Sequence, residues 1–282
     1  YHKWASYQLA WRKERNASME TLEFPFPYRK GQREMVAGVY HAISEEEQIF
    51  IQAPTGIGKT MSAIFPAVRA VGQGKGETVF YLTARTITRT VAEDAFSILR
   101  GKGLHFKSIT ITAKEKMCFC DEMDCDPQKC PYAKGHYDRI NDAVYELWTK
   151  EEAFDRETIL AQAEKYSVCP FEMTLDLAVW MDGIVCDYNY VFDPNVYLKR
   201  FFGENIKGKY LFLIDEAHNL VDRGREMYSA TLCKEEIEST RRFVRSHSNR
   251  LYRMLGKAAK QLEVLKEESS SSWQVLENAG TL

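Results

Sequence analysis

Ala53-Pro54-Thr55-Gly56-Ile57-Gly58-Lys59-Thr60 follows the apolar run Ile49-Phe50-Ile51-Gln52 and precedes a stretch that reads as a helix. A glycine-rich turn between a strand and a helix is the setting of a phosphate loop. Gly56 and Gly58 let the backbone turn its N–H groups toward phosphate oxygens. Lys59 reaches the β and γ phosphates as a point charge, and the Thr60 hydroxyl is placed to ligate Mg²⁺. Thr55 belongs to the same cradle, and the helix N-terminus adds partial positive charge. Pro66 is expected to kink that helix. A strand–loop–helix unit of this kind belongs to an α/β domain.

Working outward, a second chemical element stands far downstream. Asp215-Glu216-Ala217-His218 follows the apolar run Tyr210-Leu211-Phe212-Leu213-Ile214. Two carboxylates at the end of a buried strand project over the sheet edge where the phosphate loop lies. Asp215 is positioned to hold Mg²⁺, Glu216 to orient and deprotonate an attacking water, and His218 to couple the nucleotide site to a neighbouring domain. Between the two motifs, β-rich runs alternate with helical ones: Ile49–Gln52, Thr78–Thr83, Ser108–Thr112, Gly183–Cys186 and Tyr210–Ile214. Strands separated by helices imply right-handed crossovers and a mostly parallel sheet. A helix before Leu22 ends at Phe24-Pro25-Phe26-Pro27, and a second runs from about Gly31 to Ile43. After the acidic box the pattern is helical from about Lys234 to Lys266, and Ser269–Ser272 reads as a linker.

The formal net charge is −2, so no global basic field advertises nucleic acid. Contact must come from local groups: Arg12, Lys13 and Arg15; Arg85 and Arg89; or Arg241, Arg242 and Arg245. No apolar run approaches the ~20 residues of a membrane span. The chain starts at Tyr1 with no signal pattern, and reads as a cytoplasmic fragment whose natural start is missing. Seven cysteines are present, four of them between Cys118 and Cys130. With Cys169-Pro170-Phe171 downstream, they argue for metal rather than disulfides. Thiolates suit both zinc and iron–sulfur clusters, and spacing does not separate the two. Cys186 and Cys233 read as core thiols.

The phosphate loop in the variant A-x-T-G-x-G-K-T, together with the D-E-A-H box, resembles the DEAH-type superfamily 2 helicases. The resemblance is closer to the XPD/DinG-like branch, and it runs from about Tyr28 to about Lys266. It implies a RecA-like motor domain interrupted by a helical iron–sulfur insertion and followed by the start of a helical arch. The corresponding segments are a lead-in over 1–23, the motor domain over 24–113 and 182–228, the insertion over 114–181 and the arch from 229. It further implies an ATP-dependent DNA helicase of 5′→3′ polarity, with ATP and Mg²⁺ bound between this domain and a second motor domain of the same parent protein. Its partners would be single-stranded DNA and duplex junctions. Tyr28-Arg29-Lys30-Gly31-Gln32 matches the family's upstream glutamine motif, which gives Gln32 to adenine. Tyr81-Leu82-Thr83-Ala84-Arg85-Thr86 falls where the family touches the single strand, so Thr83, Arg85 and Thr86 are expected on phosphates. Asn189, with Asp193-Pro194, resembles a further motif near the DNA path.

The resemblance also turns the cysteines toward a four-iron, four-sulfur cluster with Cys118, Cys125, Cys130 and Cys169 as ligands. Cys120, two residues from Cys118, departs from a clean pattern and is an alternative ligand. Alone, such a fragment is expected to bind nucleotide weakly and hydrolyse it poorly. Two other readings remain at this point. One is a phosphate-loop enzyme of another class, such as a metabolite kinase with a structural zinc knuckle. The other is a nucleic-acid-binding module with a degenerate motor.

Overall fold

The computed structural model describes residues 2–54 and 56–269. Thr55 and most of the Ser269–Ser272 linker lie outside the described residues. Every side chain of β1 (Thr78–Leu82) is buried, and this strand organises what surrounds it. Its alternation sends Phe80 and Leu82 into one hydrophobic cluster and Val79 and Tyr81 into another, one on each face of the sheet. A strand covered on both faces reads as a continuous apolar run, which is how parallel sheets are built.

Along the chain, α1 (His2–Thr21) and α2 (Gln32–Ser44) precede the phosphate loop, and α3 (Lys59–Gly72) follows it. After β1 come α4 (Thr86–Arg100) and β2 (Ser108–Thr110). The insertion holds α5 (Lys114–Met117), α6 (His136–Lys150), β3 (Ala153–Phe154), α7 (Arg156–Tyr166) and α8 (Pro170–Ala178). Then follow β4 (Gly183–Cys186), the short α9 (Asn189–Phe192) and α10 (Lys199–Phe202), and β5 (Tyr210–Ile214). A 3-10 turn, Ala217–Asn219, leads into α11 (Leu220–Met227). The strand order is β3-β2-β4-β1-β5, with every pairing parallel. All strand carboxyl ends therefore point the same way, and Leu82 lies level with Cys186 and with Ile214.

Two expectations need correcting. Ile49–Gln52 is not a strand: Phe50 is 88% exposed, with Ile49 and Ile51 partly so. A short apolar run becomes a strand only where neighbours cover its faces, and here they do not. The fifth strand is β3 instead, inside the stretch expected to be helical. It brings the insertion into the sheet, and Trp148, Phe154 and Leu177 share one cluster with Phe80 and Ile184.

Helices α3 and α4 cover the other face, with Met19 of α1 among them. A Cβ at Gly72 would stand 2.5 Å from the Met19 Cβ, so only glycine lets α1 approach α3 this closely. α3 stays helical through Pro66. At its other end α1 joins the opposite cluster, where Trp4 stacks on Trp148 at 5.4 Å.

Near the amino ends of β2 and β4, α1 meets a buried polar knot. Asp182 accepts from Arg15 Nη1 at 2.5 Å, from the Lys107 backbone N–H at 2.9 Å and from Trp11 Nε1 at 3.3 Å. The Lys107 ammonium donates to the Trp148 and Glu151 carbonyls at 2.7 and 2.6 Å and lies 4.1 Å from the Trp11 ring centre. Burial pushes the Lys107 amine down to about 8, against the pull of Glu152 and Asp182. Arg15, a candidate for DNA contact on sequence, is committed to this knot.

A second compact unit begins at Tyr228. It contains α12 (Lys234–Val244) and α13 (Asn249–Glu268), the latter capped by the Ser248 hydroxyl. Lys234 pairs with Glu263 at 2.7 Å, and the Arg241 guanidinium lies 4.4 Å from the Tyr252 ring centre. Those pairings make the two helices an antiparallel hairpin and engage one of the predicted basic cluster. Cys233 is the N-cap of α12 and half-buried rather than core, because a helix start sits at the surface.

Candidate functional site

The phosphate loop is built on two left-handed glycines, Gly56 and Gly58, with φ of 83° and 84°. A Cβ at Gly58 would also come 2.7 Å from Gln32 Nε2. Gln32 itself is buried, and each polar atom of its side chain makes one hydrogen bond. Nε2 donates to the Ile57 carbonyl at 2.9 Å, and Oε1 accepts from the Arg29 N–H at 3.0 Å. Arg29 Nη1 donates to the Gly56 carbonyl. The glutamine segment thus braces the loop from behind. Lys59 heads α3, and its Nζ lies 3.3 Å from the Ala53 carbonyl, folded over the loop.

Facing the loop, β5 ends in the acidic box. Asp215 N donates to the Leu82 carbonyl at 3.0 Å, which fixes the box against the end of β1. Tyr81 joins the two motifs: its hydroxyl lies 3.4 Å from Thr60 Oγ1, and the Asp215 carboxylate stands close enough to raise its phenol. Burial, with the Asp215 charge beside it, drives the Tyr81 phenol well above its ordinary range, so it remains a donor. Thr60 and Asp215, the two groups suited to Mg²⁺, are brought together here.

Glu216 adopts left-handed backbone angles, φ 50° and ψ 43°. A residue with a Cβ costs about 1–2 kcal/mol in that region, so the neighbours must hold it. Its carbonyl accepts from Asn219 N at 3.0 Å, from Asn219 Nδ2 at 3.1 Å and from the Tyr188 hydroxyl at 3.4 Å. Its carboxylate lies 3.5 Å from His218 Nδ1 and is partly open to solvent. Neither tyrosine was singled out for chemistry on sequence, since an aromatic in or beside an apolar strand run reads as core.

On the predicted nucleic-acid side, Arg85 and Thr86 are exposed at the start of α4. Thr83 is not: it is 1% exposed, and its hydroxyl bonds that of Thr88. Asn189 Oδ1 accepts from Arg223 at 2.9 Å, and Asp187 holds Arg223 and Arg89 at 3.3 and 3.4 Å. These side chains form a row along the carboxyl ends of β1 and β4.

In the insertion, five thiols line a single cavity of about 250 Å³: Cys118, Cys120, Cys125, Cys130 and Cys169. All are free. Cys120 and Cys130 approach to 4.0 Å, and desolvation with these neighbours pushes the Cys120 thiol up to about 11. Lys114 stands beside the Cys125 sulfur, whose interaction raises the Lys114 amine. The Cys169 N–H donates to His136 Nδ1 at 3.2 Å, and burial holds that imidazole below its ordinary value. Among the described residues no three acidic, cysteine or histidine side chains converge tightly enough to hold one metal ion. Five thiols gathered from both ends of the insertion dominate a lining that also includes His136, Glu122, Asp124 and Glu172, and a donor set rich in thiols fits a cluster-sized group.

Comparison with known proteins agrees with this layout. The DEAD/DEAH box helicase family matches residues 29–154, and the DEAD_2 family matches residues 104–237. The Fanconi anemia group J protein homolog of Gallus gallus is 32% identical over 90 residues, which are 32% of this chain and 7% of that protein. The Regulator of telomere elongation helicase 1 homolog of Caenorhabditis briggsae is 22% identical over 78% of this chain and 26% of its own length. The chain thus spans at most about a quarter of either relative. Among solved structures, a truncated XPD superposes with a TM-score of 0.56 at 20% identity, covering 81% of this chain and 64% of that one. An XPD helicase gives 0.53 at 20% identity, covering 84% and 40%. The two family matches overlap and together run over residues 29–237, taking in both the phosphate loop and the acidic box; over that stretch the chain is similar to DEAD/DEAH box helicases, and its fold is like that of the XPD structures.

Proposed function

We propose that this chain is the nucleotide-binding motor unit of an ATP-dependent DNA helicase. In this reading it moves 5′→3′ on single-stranded DNA and opens duplex junctions, with a second motor domain of the same protein closing over the nucleotide. The observation that carries it is the meeting of Thr60, Tyr81 and Asp215 at the carboxyl ends of β1 and β5, with Glu216 next in line. Lys59 and the loop N–H groups hold the phosphates, and Thr60 and Asp215 hold Mg²⁺. Glu216 takes a proton from the attacking water as the phosphoryl group leaves. Arg85 and Thr86, exposed at the head of α4, meet strand phosphates. For Gln32, adenine recognition requires an amide proton or lone pair beyond those spent on Ile57 and Arg29, and each of its two polar atoms retains one.

In the same reading the cysteine cavity holds a 4Fe–4S cluster through Cys118, Cys125, Cys130 and Cys169. When bound, such a cluster cross-links the two ends of the insertion and supplies folding free energy rather than redox chemistry. Lys114 and the Cys169 N–H, bonded to His136, orient the thiol-bearing segments. Free thiols fit a reducing, cytoplasmic setting.

The decisive test of the motor reading is Lys59→Ala. Calorimetry with Mg·ATP should show nucleotide binding lost, while circular dichroism stays unchanged. Unaltered affinity overturns the assignment. For the cavity, serine at each of the four cysteines should remove iron from anaerobically purified protein, and Cys120→Ser should keep it. Loss of iron in Cys120→Ser with retention in Cys118→Ser moves the ligand set to Cys120. Stoichiometric zinc without iron or sulfide defeats the cluster reading and leaves the motor reading standing.

A further inference from the structure

Tyr188 is fully buried two residues beyond β4, yet its polar atom is committed to a different strand. The order β4-β1-β5 means its ring must pass over the end of β1 to reach β5. There its hydroxyl donates to the Asp215 carbonyl and lies 3.4 Å from the Glu216 carbonyl. Burial and the nearby Asp215 and Asp187 charges push this phenol up to about 12, so it stays a donor at any working pH. A buried tyrosine needs some acceptor for its hydroxyl. What is unusual is that both acceptors belong to the acidic box, and that one of them is the left-handed residue itself.

In that conformation the direction of the Cα–Cβ bond, and so the aim of the carboxylate, is set by backbone angles that glutamate would not choose. Only external hydrogen bonds can keep it there. The donors on the Glu216 carbonyl come from Asn219 and Tyr188. Asn219 lies within the same turn, whereas Tyr188 ties the turn to the body of the sheet. The base of Tyr188 is fixed in turn by its neighbours, with Asp187 between Arg89 and Arg223 and Asn189 on Arg223.

We propose that Tyr188 is a positioning residue for ATP hydrolysis. Its hydroxyl, together with Asn219, holds the backbone of Glu216 in the left-handed region and thereby aims the catalytic carboxylate at the attacking water. The inference rests on the reading of Glu216 as the base, and the experiment separates the two. In the intact helicase, Tyr188→Phe keeps the ring and its packing but deletes the donor. It should lower kcat for DNA-stimulated ATP hydrolysis about tenfold, the worth of one well-placed hydrogen bond, with KM for ATP unchanged. Added to Glu216→Gln, it should cost nothing further, because a residue that acts through Glu216 has no effect once the carboxylate is gone. Should Tyr188→Phe not fold, Asn219→Asp removes the side-chain donor on the same carbonyl and is read the same way.

If Glu216→Gln itself retains wild-type turnover, the reading of the base fails. If Glu216→Gln lowers turnover by roughly two orders of magnitude or more while Tyr188→Phe keeps the wild-type kcat, the positioning role is overturned. A multiplicative loss in the double variant overturns it as well.

Discussion

The two ends of the sheet are made of similar residues put to opposite uses. At the amino ends of β2 and β4, Asp182, Lys107 and Trp11 are buried and Arg15 half-buried, and each meets a polar partner. At the carboxyl ends of β1, β4 and β5, charges lie partly exposed, Glu216 is held in a strained backbone, and Arg85 faces solvent. The first end has spent its polar groups on the fold. The second keeps some unspent, and those are what the proposed nucleotide and DNA contacts would draw on. Parallel sheets put their ligands at the carboxyl end, and here the contrast in polar satisfaction shows the same division residue by residue.

The sharpest way to break the contrast is to remove one group from each end. Glu216→Gln at the carboxyl end should lower ATP turnover in the intact helicase by roughly two to four orders of magnitude, while ATP still binds and the unfolding midpoint stays in place. Turnover near wild type would take Glu216 out of that role. Asp182→Ala at the amino end should do the reverse. It strands the Arg15 guanidinium and the Lys107 N–H without their acceptor, and should destabilise the chain by about 3–5 kcal/mol with nucleotide affinity unaltered. A urea midpoint close to wild type would show that the knot contributes little.

The knot also has a pH signature. Lys107 is held down to about 8 from its ordinary 10.5. Between those values the unfolded chain binds a proton that the folded chain does not, so stability from this group rises with pH across that window and is flat below it. Lys107→Met should lack the rise. The difference between the two proteins, measured by urea unfolding at pH 7.5 and 10, should grow by at most about 3 kcal/mol. Parallel curves would mean that the amine titrates normally in place. The smallest effect belongs to Arg85→Ala. Loss of one phosphate contact should flatten the slope of log affinity against log salt for single-stranded DNA by about 0.7 and leave ATP affinity alone. An unchanged slope would place Arg85 off the strand.

The carboxyl end was the legible one. The phosphate loop and the acidic box are contiguous strings whose chemistry is local, and four of the five strands carry apolar runs long enough to read. Two-residue β3 has no periodicity to detect, and Ile49–Gln52 has the composition of a strand without the neighbours that would make it one. The knot escaped because its members are far apart in sequence, and because Lys107 and Asp182 are charges of a kind usually found at the surface. Tyr81 and Tyr188 escaped for the complementary reason. Their rings are core, and only the structure shows where their hydroxyls go.

The bonds from α1 to Asp182 span 171 and 167 residues. A ribosome adding ~5–20 residues per second therefore needs roughly 10–30 s after making Trp11 before its partner exists. For most of that interval Trp4, Tyr7 and Trp11 sit on a helix whose partners Trp148 and Asp182 have not been synthesised. α1, made well before its partners, is thus among the later elements to find its place.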